Sequence, residues 1–427
     1  MKVFDPVHRF IHLNEQEVTL IDTLPLQRLR YLHQVGVTFL VFPGARHSRF
    51  EHSIGVMQVA TQLFDALTNE SNLSPACLEI LPNLQETKSI AYWRQVLRCA
   101  ALCHDLGHTP FSHSLEFMLG EDGHEKVTQM MIHSPFMLDT WQQFDSLPGR
   151  DIAKDIAQLA LGPTTWNRLH PHDKMPLWER LLSLIITSDC FGADRIDYLQ
   201  RDAFFTGVAH GVIDYDQLKE TITFIITPDN RVDIGFQKSG VTSIESLLLA
   251  RYFMHSRVYQ NKRAQVYDFH LKKFVKSDPT FKNYCENLED FLFWQDHTVL
   301  SAIDMALRNP QHSAHKLAKR LKIREERYQL LEIDVHNAKQ LEEIQTKAVI
   351  LKKQYGERVC FDYSKVKLTD EYTDAHFVLC VLENGDCSPI CEYSELLAHT
   401  PVPKSRVSVF LESKLVDNIK KTFSIKE

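Results

Sequence analysis

Long apolar segments are missing from this chain of 427 residues. Its apolar runs, such as TFLVF and ITFIIT, are far shorter than the roughly 20 residues that a membrane-spanning helix needs. The N-terminal MKVFDPVHRF lacks the apolar centre of a signal peptide. The nine cysteines are scattered, odd in number and without paired zinc-ribbon spacing. We therefore expect a soluble, cytoplasmic protein with reduced thiols and no membrane partner.

The chain also has no excess of positive charge. Lys and Arg number 48 against 55 Asp and Glu, so the net charge is −7. A general nucleic-acid-binding protein is normally basic, and we do not expect nucleic acid as a partner. No internal repeat or low-complexity tract is present, and the length predicts two or three structural units.

Helical periodicity dominates residues 1–270. Phe50, Ile54 and Met57, for example, recur at the spacing of one helix face. Two β-rich runs around Pro-Asp-Asn interrupt this pattern and predict a hairpin over 222–236.

The sequence pattern changes after residue 270. The charged segment 316–356 is predicted to be helical, and residues 376–393 predict a hairpin that turns near Asn384-Gly385. We expect a mainly α fold with a helical domain over 1–270, a short β-hairpin, and a small α+β C-terminal lobe over 271–427.

The segment LCHDLGHTPFSH, residues 102–113, concentrates titratable side chains directly after an apolar helical stripe. His104 and Asp105 offer an imidazole next to a carboxylate, two ligand types that transition metals favour. Two further ligands must come from elsewhere, and His52 and Asp194 are candidates. Taken alone, His52 is equally an ordinary surface or core histidine, and Asp194 an ordinary helix-start carboxylate.

The ordered set ARHSRFEHS, CHDLGHTPFSH and ADRIDYLQRD resembles the HD-domain phosphohydrolases. The resemblance implies that His52, His104, Asp105 and Asp194 are the metal ligands. With DPVHRFIHL and IDTLPLQRLRYLHQVG added, the chain is similar to the deoxynucleoside triphosphate (dNTP) triphosphohydrolase branch. That branch splits a dNTP into deoxynucleoside and intact inorganic triphosphate.

The residues around the ligand pair suit such a reaction. Arg49 lies three residues before His52 and is expected to reach the α-phosphate. His108 and His113 are expected to face the phosphates or to protonate the leaving 5′-oxygen. The resemblance makes His124 and Glu116 part of an acid–base relay, although aspartate is usual at the Glu116 position.

A cationic stripe supports a phosphate ligand. Arg251, His255, Tyr259 and Lys262 are spaced so that one helix face would carry them, although such a face is equally an ordinary solvated one. The resemblance makes Arg251 and Lys262 phosphate ligands and Tyr259 a ring stacked on the sugar. Arg195, next to Asp194, adds a further expected phosphate contact.

Sugar recognition is implied by the resemblance. Tyr198 and Asp202 follow Asp194 at i+4 and i+8 and share its helix face. Asp202 would bind the 3′-hydroxyl together with Gln34. Val35 and Tyr259 would crowd the 2′ position, so deoxyribose is preferred over ribose, and all four bases are accepted.

Regulation by a guanine nucleotide is also implied, because Asp22, Gln27 and Arg30 match an allosteric motif of the family. Its C-terminal basic partner is not clearly present, since Arg324 is followed by Tyr328 where a lysine is expected. The motif residues are equally explained as a helix cap and a surface pair. We expect a homo-oligomer, either a dimer or a tetramer.

The identity of the metal stays open, and so do two alternative functions. Two imidazoles and two carboxylates suit Fe, Mn, Zn or Co better than Mg. A separate Mg is expected on the triphosphate of the substrate. One alternative is an HD phosphohydrolase that acts on a nucleoside monophosphate or cyclic nucleotide. The other is a nucleotide- or nucleic-acid-binding regulator with weak catalysis, favoured only by the basic run KLAKRLKIR at 316–324.

Overall fold

The computed structural model of the protein describes residues 1–120, 123–227, 231–323, 328–364, 380–383, 386–398 and 405–424. Helices dominate these residues, and short strands form small sheets, which confirms the mainly α fold. Contacts between Cα atoms divide the chain into two compact units. The described residues of the first lie within Met1–Ser256, Lys282–Asp296 and Asp374–His399, and those of the second within Arg257–Phe281, His297–Thr373 and Thr400–Glu427.

In chain order, the helices of the described residues are α1 (Glu15–Ile21), α2 (Leu24–Arg28), α3 (Arg49–Leu67), α4 (Pro75–Ile80), α5 (Thr87–Cys103), α6 (Gly123–Ile132), α7 (Pro135–Trp141), α8 (Ile152–Leu169), α9 (Leu177–Thr187), α10 (Ala193–Thr206), α11 (Tyr215–Thr221), α12 (Val241–Met254), α13 (Lys262–Ser277), α14 (Leu288–Phe293), α15 (Asp296–Arg308), α16 (His315–Lys322), α17 (Ala338–Tyr355), α18 (Glu395–Ala398) and α19 (Val416–Phe423). The strands are β1 (Lys2–Asp5), β2 (Arg9–His12), β3 (Ile222–Ile226), β4 (Val232–Gln237), β5 (Tyr328–Val335), β6 (Val359–Asp362), β7 (Cys380–Glu383), β8 (Asp386–Pro389) and β9 (Ser405–Glu412).

Helix α3 lies at the centre of the first unit, where it packs against α5 and α10. The carboxylate of Glu51 accepts a hydrogen bond from the backbone N–H of Ser48, as in a capping box. This cap fixes the start of α3 at Arg49, so His52 lies in its first turn. The predicted apolar face of this helix is buried.

Helix α5 ends at Cys103, and the His104–Asp105 pair follows at once. The glycine at position 107 is needed for close packing, because a Cβ there would collide with the backbone carbonyl of His124 and the amide of Thr128. The start of α6 can therefore lie directly against the turn that carries the predicted metal ligands.

The sheets of the first unit include one element that the sequence analysis missed. Strands β1 and β2 form an antiparallel N-terminal hairpin. The predicted β3–β4 hairpin is confirmed by its pairing, although residues 228–230 lie outside the described residues. β7 pairs parallel with β4 and antiparallel with β8, while positions 384–385 are again outside the described part. Strands from the expected C-terminal lobe thus belong to the first unit.

The second unit has an antiparallel sheet of order β5-β9-β6. Ile333, Val409 and Ile419 share one buried apolar cluster there with side chains of α17. The prediction that 316–356 is helical throughout is wrong, because β5 separates α16 from α17. All eight residues of β5 pair with β9, and this pairing overrides the charged character of the segment. The division into functional domains at residue 270 stays a prediction.

Within the described part of the chain, no helix combines the length and apolar character needed to span a bilayer. The eight cysteines whose side chains are described are free thiols.

Helix α10 ends at Thr206 and is capped by Gly207, whose φ of 72° is left-handed and whose surroundings leave room for a side chain. We expect Gly207→Ala to lower the free energy of unfolding by about 1 kcal/mol, because only the backbone conformation opposes it. Gly207→Asn is the matched control and should cost less, since asparagine tolerates this conformation better. Urea unfolding measures both variants, and equal losses would contradict the conformational explanation.

Candidate metal centre

Four side chains from α3, α10 and the turn after α5 converge in the first unit. His52 lies in the first turn of α3, His104 and Asp105 follow α5, and Asp194 lies in the first turn of α10. His52 Nε2 is 3.0 Å from Asp194 Oδ1, and His104 Nε2 is 3.4 Å from Asp105 Oδ1 and 3.7 Å from Asp194 Oδ1. The fold thus brings the predicted ligand set together.

The two imidazoles are oriented by hydrogen bonds on their outer sides. Nδ1 of His52 donates to Asp197 Oδ2 at 2.8 Å, and Nδ1 of His104 donates to the carbonyl of Ala101 at 2.8 Å. The Nε2 atom of each ring therefore faces the carboxylates. Both Nε2 atoms are buried and have no hydrogen-bond partner of good geometry among the described residues. This donor set fits a divalent transition metal.

The buried charged side chains around His52 strongly affect one another's pKa values. Burial lowers the pKa of His52, but its contacts with Asp194 and Asp197 outweigh burial and raise the pKa to about 10. Burial opposes ionisation of Asp197, yet the Arg201 charge and hydrogen bonds from His52 and His8 hold its pKa well below the ordinary value. Because a metal ligand must be unprotonated, a cation would replace the proton of His52.

Asp105 is shared between the centre and Arg49. One carboxylate oxygen pairs with Arg49 Nη1, and the other lies 3.2 Å from His108 Nε2. Burial raises the pKa of Asp105, but the charges of Arg49 and His104 outweigh it and hold that pKa well below its usual value. The predicted phosphate contact Arg49 is thus buried directly beside a predicted ligand.

The four predicted catalytic residues form one cluster. The rings of His108 and His124 stack at 3.8 Å, and His113 lies edge-on to both. Glu116 accepts a hydrogen bond from His113 Nδ1 at 2.8 Å and pairs with His124 Nδ1. Burial opposes ionisation of Glu116, but the two imidazoles hold its pKa well below the ordinary value. The glutamate side chain therefore reaches both histidines.

The loop after the ligand pair has an uncommon backbone. Phe111 and Ser112 have φ values of 54° and 57°, a left-handed region that is sparsely populated by residues other than glycine. The N–H of Phe111 donates to Asp296 Oδ1 at 2.6 Å, and Asp296 Oδ2 accepts from the N–H of His33 at 2.8 Å. Asp296 thus holds this loop against the segment of His33.

Arg28 stabilises the same loop from inside the protein. Its guanidinium donates to the backbone carbonyls of His108 at 2.9 Å, Trp294 at 2.9 Å and Phe291 at 3.1 Å. Burial lowers its pKa to about 9. The sequence analysis missed both Arg28 and Asp296, although Arg28 lies on a buried helix face between Pro25 and Leu29.

A cationic cluster lies beside Asp194. Arg251 donates to the carbonyl of Asp189 at 3.0 Å, Arg195 pairs with the Asp189 carboxylate, and Arg195 Nη1 lies 3.5 Å from the Tyr198 hydroxyl. Burial and then the charges of Arg251 and Arg195 lower the pKa of His255 to about 4. The first unit therefore brings Arg195, Tyr198, Arg251 and His255 together.

The prediction of one helix face from Arg251 to Lys262 is wrong. Helix α12 ends at Met254, a π-helical turn follows over His255–Tyr259, and α13 begins at Lys262 after the extended cap Asn261. The Asn261 side chain accepts hydrogen bonds from the first N–H groups of α13, which explains the break. Tyr259 and Lys262 belong to the second unit, where Lys262 Nζ lies 3.5 Å from Glu332.

The predicted sugar ligands lie in the first unit. Asp202 is buried on α10, and its Oδ1 lies 2.7 Å from His47 Nε2. The backbone N–H of Gln34 donates to the carbonyl of His47 at 3.0 Å, and Gln34 Oε1 is buried without a partner among the described residues. The half-buried Val35 directly follows Gln34.

The predicted regulatory residues lie near α2. Asp22 is the exposed C-cap of α1, Gln27 donates to the carbonyl of Ile21 at 2.7 Å, and Arg30 donates to Gln27 at 2.9 Å. The Arg30 guanidinium also lies over the ring of Phe50. Arg324, the expected C-terminal partner, lies outside the described residues.

Comparison with known proteins agrees with this geometry. The HD domain model matches residues 49–202, and the HD associated region model matches 213–424. An uncharacterized protein of Methanocaldococcus jannaschii is 33% identical over 305 residues, covering 70% of this chain and 54% of that protein. Deoxynucleoside triphosphate triphosphohydrolase SAMHD1 of Homo sapiens is 32% identical over 298 residues, covering 65% and 45%.

A solved structure covers nearly the whole chain. The crystal structure of a hypothetical protein from Aquifex aeolicus is 27% identical, with a TM-score of 0.75 over 99% of both chains. The present chain spans about half the length of the curated relatives it matches. The chain is therefore an HD-domain protein, in which an HD associated region follows the HD domain. It is similar in sequence to proteins named as dNTP triphosphohydrolases, as the sequence motifs indicated.

Arg28 provides a test of how the loop after the ligand pair is held. Arg28→Lys keeps the charge but loses most of the carbonyl contacts, so we expect it to lower the free energy of unfolding by about 2–3 kcal/mol. Arg30→Lys is the matched exposed control and should change it by less than about 0.5 kcal/mol. Urea unfolding measures both, and a neutral Arg28→Lys would refute the role of these contacts.

His255 provides a test of charge in the cationic cluster. Its pKa is about 4 in the folded protein against 6.5 ordinarily, so between these values the unfolded chain binds more protons. Stability should therefore fall as the pH drops from 6.5 to 4, and His255→Gln should lose less over that window. Urea midpoints at pH 7.5 and pH 4.5 give the comparison, and equal losses would contradict the lowered pKa.

Proposed function

We propose that this protein hydrolyses deoxynucleoside triphosphates to deoxynucleosides and inorganic triphosphate. The observation that carries the proposal is the pair of buried imidazole nitrogens, on His52 and His104, which face the carboxylates of Asp105 and Asp194. Relatives named as dNTP triphosphohydrolases support the substrate class.

His52, His104, Asp105 and Asp194 would hold a divalent cation. Bound there, Fe, Mn, Zn or Co would polarise a phosphoryl oxygen and favour deprotonation of water. Two of these side chains lie on the packed helices α3 and α10 and two in the turn directly after α5, so the donor atoms are positioned before any ligand binds. A separate Mg²⁺ would accompany the triphosphate.

Proton transfer falls to the histidine cluster. Water attacks the α-phosphorus, the bond between that phosphorus and the 5′-oxygen breaks, and the 5′-oxygen takes up a proton. An ionised Glu116 stabilises a protonated imidazole on His113 or His124, so this group is the proton donor. Burial and the charge of Arg49 lower the pKa of His108, so this imidazole would remain neutral beside the phosphates.

Substrate binding uses the cationic cluster on α10 and α12. Arg195 and Arg251 attract the triphosphate despite the acidic net charge, and Tyr198 and His255 line the same region. Asp202 and Gln34 would bind the 3′-hydroxyl and Val35 would limit space at the 2′ carbon. The roles of Tyr259 and Lys262 remain predictions from the family resemblance.

Regulation and assembly complete the proposal. A guanine nucleotide would bind at Asp22, Gln27 and Arg30, of which Gln27 and Arg30 already contact each other. Occupation of this site would favour a homo-oligomer, a dimer or tetramer, and would raise dNTP turnover.

Product analysis tests the reaction. Each dNTP is incubated with Mn²⁺ or Mg²⁺, with and without GTP, and triphosphate is resolved from pyrophosphate and phosphate. We expect deoxynucleoside and intact triphosphate in equal amounts. Asp105→Ala should lower kcat/KM by about a thousandfold, or ~4 kcal/mol, because the centre loses a ligand.

The exposed Asp139 on α7 supplies the matched control, and Asp139→Ala should retain full activity. Release of pyrophosphate or single phosphate would instead favour hydrolysis at another phosphorus. Absence of turnover in every nucleotide mixture would refute the triphosphohydrolase proposal, and a missing GTP effect would refute only the regulatory part.

A further inference from the structure

The carboxylate of Asp197 receives hydrogen bonds from three side chains. His52 Nδ1 donates to Oδ2 at 2.8 Å, and His8 Nε2 donates to Oδ1 at 2.6 Å. Arg201 adds a bidentate contact, with Nε 2.9 Å from Oδ2 and Nη2 2.9 Å from Oδ1. The Asp197 and Arg201 side chains are fully buried, and that of His8 is 8% exposed.

These contacts fill the acceptor capacity of the carboxylate. An ionised carboxylate offers about four lone-pair positions, and four N–H groups reach the two oxygens of Asp197. Since an ionised carboxylate only accepts, the Nδ1 of His52 must carry the hydrogen. Nε2 is then the nitrogen of His52 that is left to bind a metal, and it faces the carboxylates of the proposed ligands.

His8 is held in place by a turn that Asp5 shapes. The backbone N–H groups of Val7 and His8 donate to Asp5 Oδ1 at 2.9 and 2.8 Å. The other oxygen of Asp5 accepts from Arg201 Nη1 at 2.7 Å. Arg9 closes the turn in a left-handed conformation with φ of 64°, which suits a three-residue hairpin loop between β1 and β2.

We infer that His8 and Asp5 are positioning residues of the metal centre, acting through Asp197 on the ligand His52. The inference rests on the proposed metal ligands and deepens that proposal. Both residues lie on the N-terminal hairpin, outside the range of the HD domain match at 49–202. The hairpin therefore supplies an outer layer of the metal centre that the HD domain alone does not contain.

Loss of His8 would leave one oxygen of Asp197 with an unused lone pair in the interior. The carboxylate could then rotate about its bonds to Arg201, and the hydrogen bond that orients His52 would weaken. Removal of such outer partners costs about 10- to 100-fold in metal affinity in other proteins. The expected effect therefore appears in metal binding itself, before any nucleotide is added.

The test is a measurement of Mn²⁺ affinity by competition with a chelator, using the 427-residue chain without nucleotide. We expect His8→Ala to weaken Mn²⁺ binding by about 10- to 100-fold. His12→Ala is the matched control, because His12 is an exposed histidine on the same hairpin, and its affinity should equal that of the wild type. His8→Gln retains an N–H donor and should recover part of the loss.

A structural effect is separated by melting the metal-free proteins in the presence of EDTA. A positioning role predicts weakened Mn²⁺ binding by His8→Gln and Asp5→Asn variants that remain folded at the assay temperature. Wild-type affinity in folded His8→Ala, or in both conservative variants if the alanine variant does not fold, would overturn the inference. If Asp105→Ala binds Mn²⁺ as tightly as the wild type, the proposed metal ligands are wrong instead.

Discussion

Buried charge is the constraint on which the centre of this protein depends. Asp197 and Arg201 lie one turn apart on α10 with no exposed side-chain surface, and Asp5 adds a second buried carboxylate. Charges removed from water in this way are tolerated only when each is paired and hydrogen-bonded, and loss of one partner typically costs about 3–5 kcal/mol. The positions of α10, α3 and the N-terminal hairpin are therefore mutually dependent, because all three contribute to one network.

The buried network has space only because glycines lie where the backbone packs closely against it. Gly55 lies one turn after His52, and a Cβ there would collide with the Asp197 carboxylate and the Arg201 guanidinium. Gly107 plays the same part between the ligand turn and α6. Neither glycine is left-handed, so each is required by space rather than by conformation. The candidate metal centre therefore requires small residues at positions 55 and 107 as well as the right ligands.

The sequence predicted those parts of the molecule in which local pattern and long-range contact agree. The helical face of α3 and the paired strands β3 and β4 follow from periodicity, and the His–Asp pair follows from ligand chemistry. Strand β5 was missed because its pairing with β9 involves residues about eighty positions away, which no local pattern contains. Arg28 was passed over although Pro25, Leu29 and Leu32 mark a buried face that includes it. The break after Met254 depends on a side-chain cap, and Asn261 in its sequence context resembled an ordinary helical residue.

The first unit is assembled from segments that lie far apart in the sequence, and this affects the order in which it can fold during translation. Asp296, which binds the backbone of Phe111, and β7, which pairs with β4, are translated long after α3 and α5. Domains generally begin to fold from the N-terminus while the ribosome is still elongating. Here the helices can pack early, but the loop after the His104–Asp105 pair lacks its carboxylate partner until residue 296 has emerged, and β4 has an open edge until about residue 383. The nascent chain therefore packs its helices before the loop that follows the candidate metal ligands is held in place.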